Sequence, residues 1–210
     1  MTEDEAKAWV AGRADVSRET FVKLEALAAI VLEEAPRQNL ISASTVPHLW
    51  VRHIVDSVQL LDQVEAPATW IDLGSGAGFP GMVVAAILSS THVTLVESRR
   101  KRIDFLSRMA DELGLSNRVT IAGSRLELID PRPFDVISAR AFAPLDRLLP
   151  LAHSFSTAKT RWLLPKGRSA ASELAAVRGS WQGSFKIVPS VTDPEAAIIV
   201  AQNVQPRGRR

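Results

Sequence analysis

Asp72-Leu73-Gly74-Ser75-Gly76-Ala77-Gly78-Phe79-Pro80-Gly81 is the stretch that decides the fold. A short strand, Trp70-Ile71-Asp72-Leu73, enters it, and an apolar helical run from Met82 to Leu88 leaves it. Glycines at such a corner let the chain turn tightly and let a ligand approach the backbone. Working outward, strands are expected at Val93 to Glu97, Val119 to Ala122, Phe134 to Ala139, Arg161 to Leu164 and Ala196 to Ala201, with a helix from Lys101 to Leu113. Strands alternating with helices imply βαβ units, a parallel sheet and helices on both faces. Gly179 to Gly183 reads as a surface loop.

Upstream of Ala66-Pro67 the texture is helical. Phe21, Leu24, Leu27, Ala28, Val31 and Leu32 recur with helical period over about residues 17 to 35, and Ser17 is placed to cap them. A second helix is expected from about Val46 to Leu61, with Pro47 near its start and Ile54, Val58 and Leu61 on its apolar stripe. Residues 1–65 therefore read as an N-terminal helical cap and residues 66–210 as the core, in one compact unit.

The 210 residues carry 25 Lys and Arg against 23 Asp and Glu, a net charge of only +2, with no cysteine. Disulfides and thiolate metal sites are thereby excluded, and no metal is expected. Apolar runs fall well short of the roughly 18 residues that span a bilayer, and the start, Thr2-Glu3-Asp4-Glu5, lacks the basic head of a signal peptide. A cytoplasmic monomer with no membrane partner is the expectation. Basic residues cluster in Arg99-Arg100-Lys101-Arg102 and in a tail of Arg207, Arg209 and Arg210, a pattern that permits a nucleic-acid partner without requiring one.

Two ligand classes compete for the glycine turn. Gly76, Gly78 and Gly81 satisfy the G-x-G-x-x-G spacing of dinucleotide sites, but Gly74 already occupies the strand end where that motif should begin. Asp72 through Gly78 fits in register the acidic residue, spacer and G-x-G-x-G of S-adenosylmethionine sites. A Walker loop is excluded, since no Gly-Lys-Ser/Thr follows. Glu97, closing the second strand, is placed to accept both ribose hydroxyls, and Leu126-Glu127, after the third, to read the adenine edge. The expected fold is a Rossmann-like class I S-adenosylmethionine-dependent methyltransferase core with a helical cap.

The fourth strand ends Ser138-Ala139-Arg140-Ala141-Phe142-Ala143-Pro144. It lacks the Pro-Pro-aromatic signature used to grip an exocyclic amine. Pyrimidine carbon-5 methylation needs a cysteine nucleophile, which this chain does not have. An acceptor that is already nucleophilic, such as guanine N7, requires only alignment, so no catalytic base is assigned. A methyltransferase for a small metabolite, a nucleotide-binding module without catalysis and an oxidoreductase stay open as alternatives. His53 and Asp56, three apart on the second helix, could bond each other and dock the cap, or face an RNA cleft.

Several blocks in order resemble one family, the small-subunit rRNA methyltransferase G family, also called glucose-inhibited division protein B. They are Asn39-Leu40-Ile41-Ser42, Arg52-His53-Ile54-Val55-Asp56-Ser57, the glycine stretch with Phe79-Pro80-Gly81, Val96-Glu97-Ser98 with Lys101-Arg102, Phe134-Asp135-Val136-Ile137, Ala139-Arg140-Ala141-Phe142-Ala143 and Lys166-Gly167. The resemblance implies N7 methylation of a guanine, guanine 527, in the 530 loop of bacterial 16S rRNA, as free rRNA or in the 30S subunit. It also implies that Gly74, Phe79, Leu126, Glu127 and Arg140 contact the cofactor; Arg52, His53, Arg140 and Lys166 are the candidate substrate-side residues. Two departures stand out: Pro36-Arg37-Gln38 replaces an aromatic and a lysine common before the Asn-Leu block, and the region after Arg168 matches poorly.

Overall fold

The computed structural model describes residues 1–208. The expected basic tail lies partly outside them, at Arg209 and Arg210. Helix α1, Glu3–Ala11, opens on a reciprocal cap: Thr2 accepts from the Glu5 N–H, and the Glu5 carboxylate accepts from the Thr2 N–H. Helix α2, Arg18–Gln38, starts where Ser17 accepts from the Thr20 N–H at 3.1 Å and stops at Asn39, whose φ of 46° is left-handed. Leu24, Leu27, Ala28 and Val31 are buried as their period demands, but Leu32 faces solvent, one step off the stripe.

The second helix is not a regular one. Val46–His48 forms a 3₁₀ turn, Trp50–Val55 a π turn, α3 spans only Asp56–Val58, and Gln59–Gln63 is again 3₁₀. The Ser57 hydroxyl takes the His53 carbonyl at 2.6 Å, drawing it from the ordinary ladder. The widened turn rotates His53 and Asp56 toward the sheet's upper edge, a use π turns often serve.

The sheet has seven strands: β1 Thr69–Leu73, β2 His92–Val96, β3 Val119–Ala122, β4 Val136–Ala139, β5 Arg161–Lys166, β6 Trp181–Pro189 and β7 Ala197–Pro206. Their order is β3-β2-β1-β4-β5-β7-β6. The first five are parallel, as expected, while β7 runs antiparallel to both β5 and β6. The β6–β7 hairpin corrects two expectations, an all-parallel sheet and a loop at Gly179 to Gly183. Trp181 to Gly183 already belong to β6, and Gly183 sits at a bulge where a Cβ would meet the Asn203 and Gln202 carbonyls at 2.9 Å. No β6 residue is buried, only Trp181, Phe185 and Val188 being partly covered, so this edge strand carries little of the apolar alternation that reveals a strand.

Helices α4 Gly81–Ile87, α5 Arg100–Glu112, α6 Leu145–Ala152 and α7 Ala170–Val177 cover the sheet. Alternating side chains of β1 feed two cores. Trp70 joins the cap helices, α4 and α5 in one, and Ile71 and Leu73 join α6 and α7 in the other. Ala6, Leu24 and Leu27 of the cap share a cluster with Val83 and Leu163 of the core. Because β1 lies between β2 and β4, the chain reverses direction across the sheet there, and a crevice opens at the strands' carboxyl ends.

Candidate functional site

The glycine turn bends where β1 ends. Gly74, Gly76 and Gly78 adopt φ of 70°, 57° and 97°, conformations that L side chains rarely take. Asp72, fully buried, is its foundation: one carboxylate oxygen accepts from the Ser138 hydroxyl at 2.7 Å, the other from the Gly81 N–H at 3.2 Å. Burial pushes this carboxyl above its ordinary value, against those hydrogen bonds and the pull of Arg140. Gly81 itself has no room for a side chain, since a Cβ would lie 2.2 Å from Leu95. The acidic residue of the motif therefore works as a brace that ties β1 to β4 and to the start of α4.

Glu97, also buried, holds the same turn from the end of β2, behind the lining of the main cleft. One oxygen accepts from the Ser98 and Arg99 N–H groups at 2.8 and 2.9 Å. The other accepts from Gly76 N–H at 3.2 Å and has Arg102 at 3.7 Å. After β3, Leu126 is buried and Glu127 exposed in the 3₁₀ turn Leu126–Leu128. Neither belongs to the lining of the main cleft, and among the described residues Glu127 has no ion-pair partner.

That cleft, about 730 Å³, brings together Gly74, Gly76 and Phe79 with Arg52, His53, Arg140 and Lys166. The Arg140 guanidinium donates to the Arg52 carbonyl at 2.9 Å and lies 5.5 Å from the Phe79 ring. Burial lowers its pKa, while Asp56 and Asp72 hold it up; a guanidinium stays charged regardless. The His53 ring stacks on Phe79 at 5.0 Å, with Nε2 bonded to the Thr45 hydroxyl at 3.2 Å and Nδ1 buried without a partner. Burial, reinforced by Arg140 and Arg52, depresses its pKa to about 3, so the imidazole is neutral.

His53 and Asp56 serve different partners. Asp56, its carboxyl raised by burial, accepts from the Thr192 hydroxyl and from Gln59. Arg52 pairs with Asp193 at 2.9 Å, and Gln59 accepts from the Val191 N–H at 3.0 Å. The π turn of the cap is thereby strapped to the β6–β7 connection. Lys166, a candidate substrate-side residue, lines the cleft but is engaged within the protein: its ammonium pairs with Glu173 at 2.8 Å and donates to the Ala143 carbonyl at 3.0 Å. Glu173 also accepts from the Leu145 N–H at 2.9 Å, so the pair clamps both ends of the Ala143–Leu145 bend.

Three residues in the cleft carried no role in the sequence reading. Arg102 stands beside Glu97. Phe142 lies close enough to Gly74 that a Cβ there would be 2.6 Å from its ring, and Ala141 before it has the strained φ of 53° that turns it inward. Glu173 had no local signal, whereas Arg102 and Phe142 stand inside blocks already singled out.

A left-handed glycine run beside a strand-end carboxylate, with no lysine for a pyrophosphate, fits S-adenosylmethionine: the backbone turns where L side chains would be strained. Among the described residues no group of His, Asp or Glu could hold a metal ion, and no helix is long and apolar enough to cross a membrane. Fold and site together define a class I S-adenosylmethionine-dependent methyltransferase. Solved structures agree on the fold. An O-methyltransferase from Bacillus cereus in complex with SAH superposes with a TM-score of 0.59 at 16% identity, covering 84% of this chain and 90% of that one. A methyltransferase from Geobacter sulfurreducens gives 0.58 at 16%, covering 84% and 87%.

Within that class, the model for rRNA small subunit methyltransferase G matches residues 20–198, and the chain belongs to that family. The matched span extends past Arg168, to residue 198. The Ribosomal RNA small subunit methyltransferase G of Rhizorhabdus wittichii is 67% identical over all of this chain and 96% of that protein. The protein of the same name from Zymomonas mobilis is 51% identical over all of this chain and 98% of that protein.

Proposed function

We propose that this protein transfers a methyl group to N7 of a guanine in small-subunit rRNA, guanine 527 of the 16S 530 loop. Family membership supports the RNA class; the observation that supports N7 is that, among the described residues, the groups lining the cleft that could serve as bases are engaged elsewhere, Asp56 by Thr192 and Gln59, and Glu173 by Lys166. His53 is neutral with a pKa near 3, too weak to take a proton at neutral pH, Lys166 is ion-paired with Glu173, and the chain has no cysteine. Guanine N7 has a lone pair and no proton to remove, so alignment alone suffices.

S-adenosylmethionine, when bound, supplies a methyl group on a cationic sulfur. In this reading the left-handed glycines Gly74, Gly76 and Gly78 cradle its amino-acid and ribose parts, Glu97 accepts the ribose hydroxyls, and the Leu126 N–H with Glu127 reads the adenine edge. Asp72 contributes by bracing the turn rather than by contact. Phe79 and Phe142 bound the place where the acceptor base enters, a base taken out of its stack as enzymes acting on bases require. Arg140, with His53 packed on the same Phe79 ring, holds that wall rigid, and Lys166 positions the Ala143–Leu145 bend. A proton is neither added nor removed; lone pair, methyl carbon and leaving sulfur have only to stand in line.

The test is labelled methyl transfer to 16S rRNA and to 30S particles from cells lacking the modification, with the product mapped by cleavage at N7-methylguanine. One modified guanine in the 530 loop is expected. Transfer elsewhere, or none with the cofactor bound, refutes the reading.

A further inference from the structure

A second, smaller hollow of about 360 Å³ lies between the end of α2 and the start of α5. Its lining carries five cations, Arg37, Arg99, Arg100, Lys101 and Arg102, and no acidic residue. Arg37 is engaged by Glu33 and Glu34, Arg100 by Asp104 and Arg102 by Glu97. Among the described residues Arg99 and Lys101 have no anionic partner. Helix α5 begins at this hollow without a side-chain cap on its first N–H groups, so its positive end adds to the same field.

At the base lies Gln38. Its amide nitrogen is spent on Glu34 at 2.7 Å and on the Lys101 carbonyl at 3.4 Å, while its Oε1 is buried with no donor. An orphaned acceptor inside a cationic hollow suits a ligand that brings both an anion and a hydroxyl donor. An RNA strand does so at every nucleotide, through its phosphodiester and its 2′-hydroxyl. Arg102 lines this hollow and the main cleft alike, and Leu40, two residues beyond Gln38, lines the latter. A strand leaving the main cleft on this side would cross the hollow. A groove at the opposite end of the sheet shows the contrast: its Lys159, Arg161 and Lys186 alternate with Asp62, Glu65 and Asp135.

We infer that the hollow between α2 and α5 is a ribonucleotide-backbone site that takes a phosphodiester flanking the methylated base, with Gln38 Oε1 accepting from its 2′-hydroxyl. The inference rests on the RNA reading above and deepens it. Arg99→Gln combined with Lys101→Gln removes two exposed charges that pair with nothing, so folding is not at stake. Lys159→Gln combined with Lys186→Gln is the charge-matched control from the opposite groove. Binding of 16S rRNA, followed between 50 and 200 mM salt, reads the site whether or not methyl transfer occurs.

For the first pair, affinity is expected to fall about tenfold at low salt, and the salt slope to become shallower by roughly 0.7–0.9 per lost phosphate contact. SAH affinity, measured calorimetrically, is expected to stay at the wild-type value. Gln38→Leu is expected to weaken RNA binding severalfold with the slope unchanged. An unchanged slope and affinity in the first pair, or an equal fall in the control pair, overturns the phosphodiester site; unchanged affinity in Gln38→Leu overturns the hydroxyl contact. Wild-type protein that binds RNA through this hollow but methylates no guanine would instead refute the proposed reaction.

Discussion

The two walls of the cleft are built by opposite means. On the β1 side the wall is backbone, bent by Gly74, Gly76 and Gly78, and its bonds close over shorter spans, nine residues from Asp72 to Gly81, 21 from Gly76 to Glu97 and 66 from Asp72 to Ser138. On the β4 side the wall is side chain. Its bonds run 88 residues from Arg140 to Arg52, 136 from Asp56 to Thr192 and 141 from Arg52 to Asp193. A wall of backbone is set mainly by local conformation, with the bond from Ser138 to Asp72 its tie across the sheet. A wall of charged side chains, with Arg140 and Asp56 inside and Arg52 and Asp193 partly exposed, depends on partners far apart in the chain.

Arg140→Ala breaks the second wall outright. Asp56 and Asp72 lose the cation that holds their charge inside the protein, and the Arg52 carbonyl loses its donor. Removing one partner from such a buried set destabilises by about 3–5 kcal/mol. Chemical denaturation should show a loss in that range, and activity should fall with it. A loss under about 1 kcal/mol would mean that the charges on this wall are not coupled, and Arg140 would then act only as a ligand contact.

Gly76→Val attacks the first wall and should leave the second intact. A β-branched residue at φ 57° is strained by about 1–3 kcal/mol, and its branches project beside Arg102 and into the cradle. SAH affinity should drop about 100-fold, some 2.8 kcal/mol, with folding cooperativity retained. Unchanged affinity in a calorimetric titration would remove the cofactor from the glycine turn.

The same contrast explains what the sequence disclosed. The strand, the three glycines, Glu97 and the parallel order were legible, because a left-handed turn needs glycine and a buried strand needs apolar residues at fixed spacing. The ion pair of Lys166, a candidate substrate-side residue, was not legible because its partner Glu173 is set by the docking of α7, which no local pattern records. His53 and Asp56 were read as neighbours on a regular helix; the π turn gives them to Thr45 and Thr192 instead. The β6 strand escaped because its partly covered residues, Trp181, Phe185 and Val188, are too few and too unevenly spaced to give an apolar period of two.

Acid distinguishes the walls without mutating either backbone. Folded protein keeps His53 neutral down to a pH of about 3, whereas the unfolded chain binds that proton near 6.5. Below pH 6.5 the unfolded state therefore gains protons that the folded state refuses, and stability falls by up to about 1.4 kcal/mol per pH unit. The raised carboxyls of Asp56 and Asp72 work in the other direction, since the folded state binds their protons at higher pH than the unfolded chain does. His53→Leu should flatten the decline between pH 6.5 and 4.5 in urea titrations. Parallel curves for variant and wild type would show that the buried ring is not what acid attacks.

The smallest change asks whether the cap supporting the second wall unfolds by itself. Ser17 caps α2 through a single bond to the Thr20 N–H, far from the cleft, and Ser17→Ala should cost about 1 kcal/mol. Leu24 and Leu27 of that helix share one cluster with Val83 and Leu163 of the sheet and its covering helix, so the loss should reach the whole molecule. One thermal transition lowered by about 2–4 °C, with SAH affinity at 25 °C unaltered, is the expected result. A separate early transition would make the cap a unit of its own. Arg52, His53 and Asp56 would then leave the cleft before the glycine wall fails, and substrate binding would be lost at temperatures where cofactor binding survives.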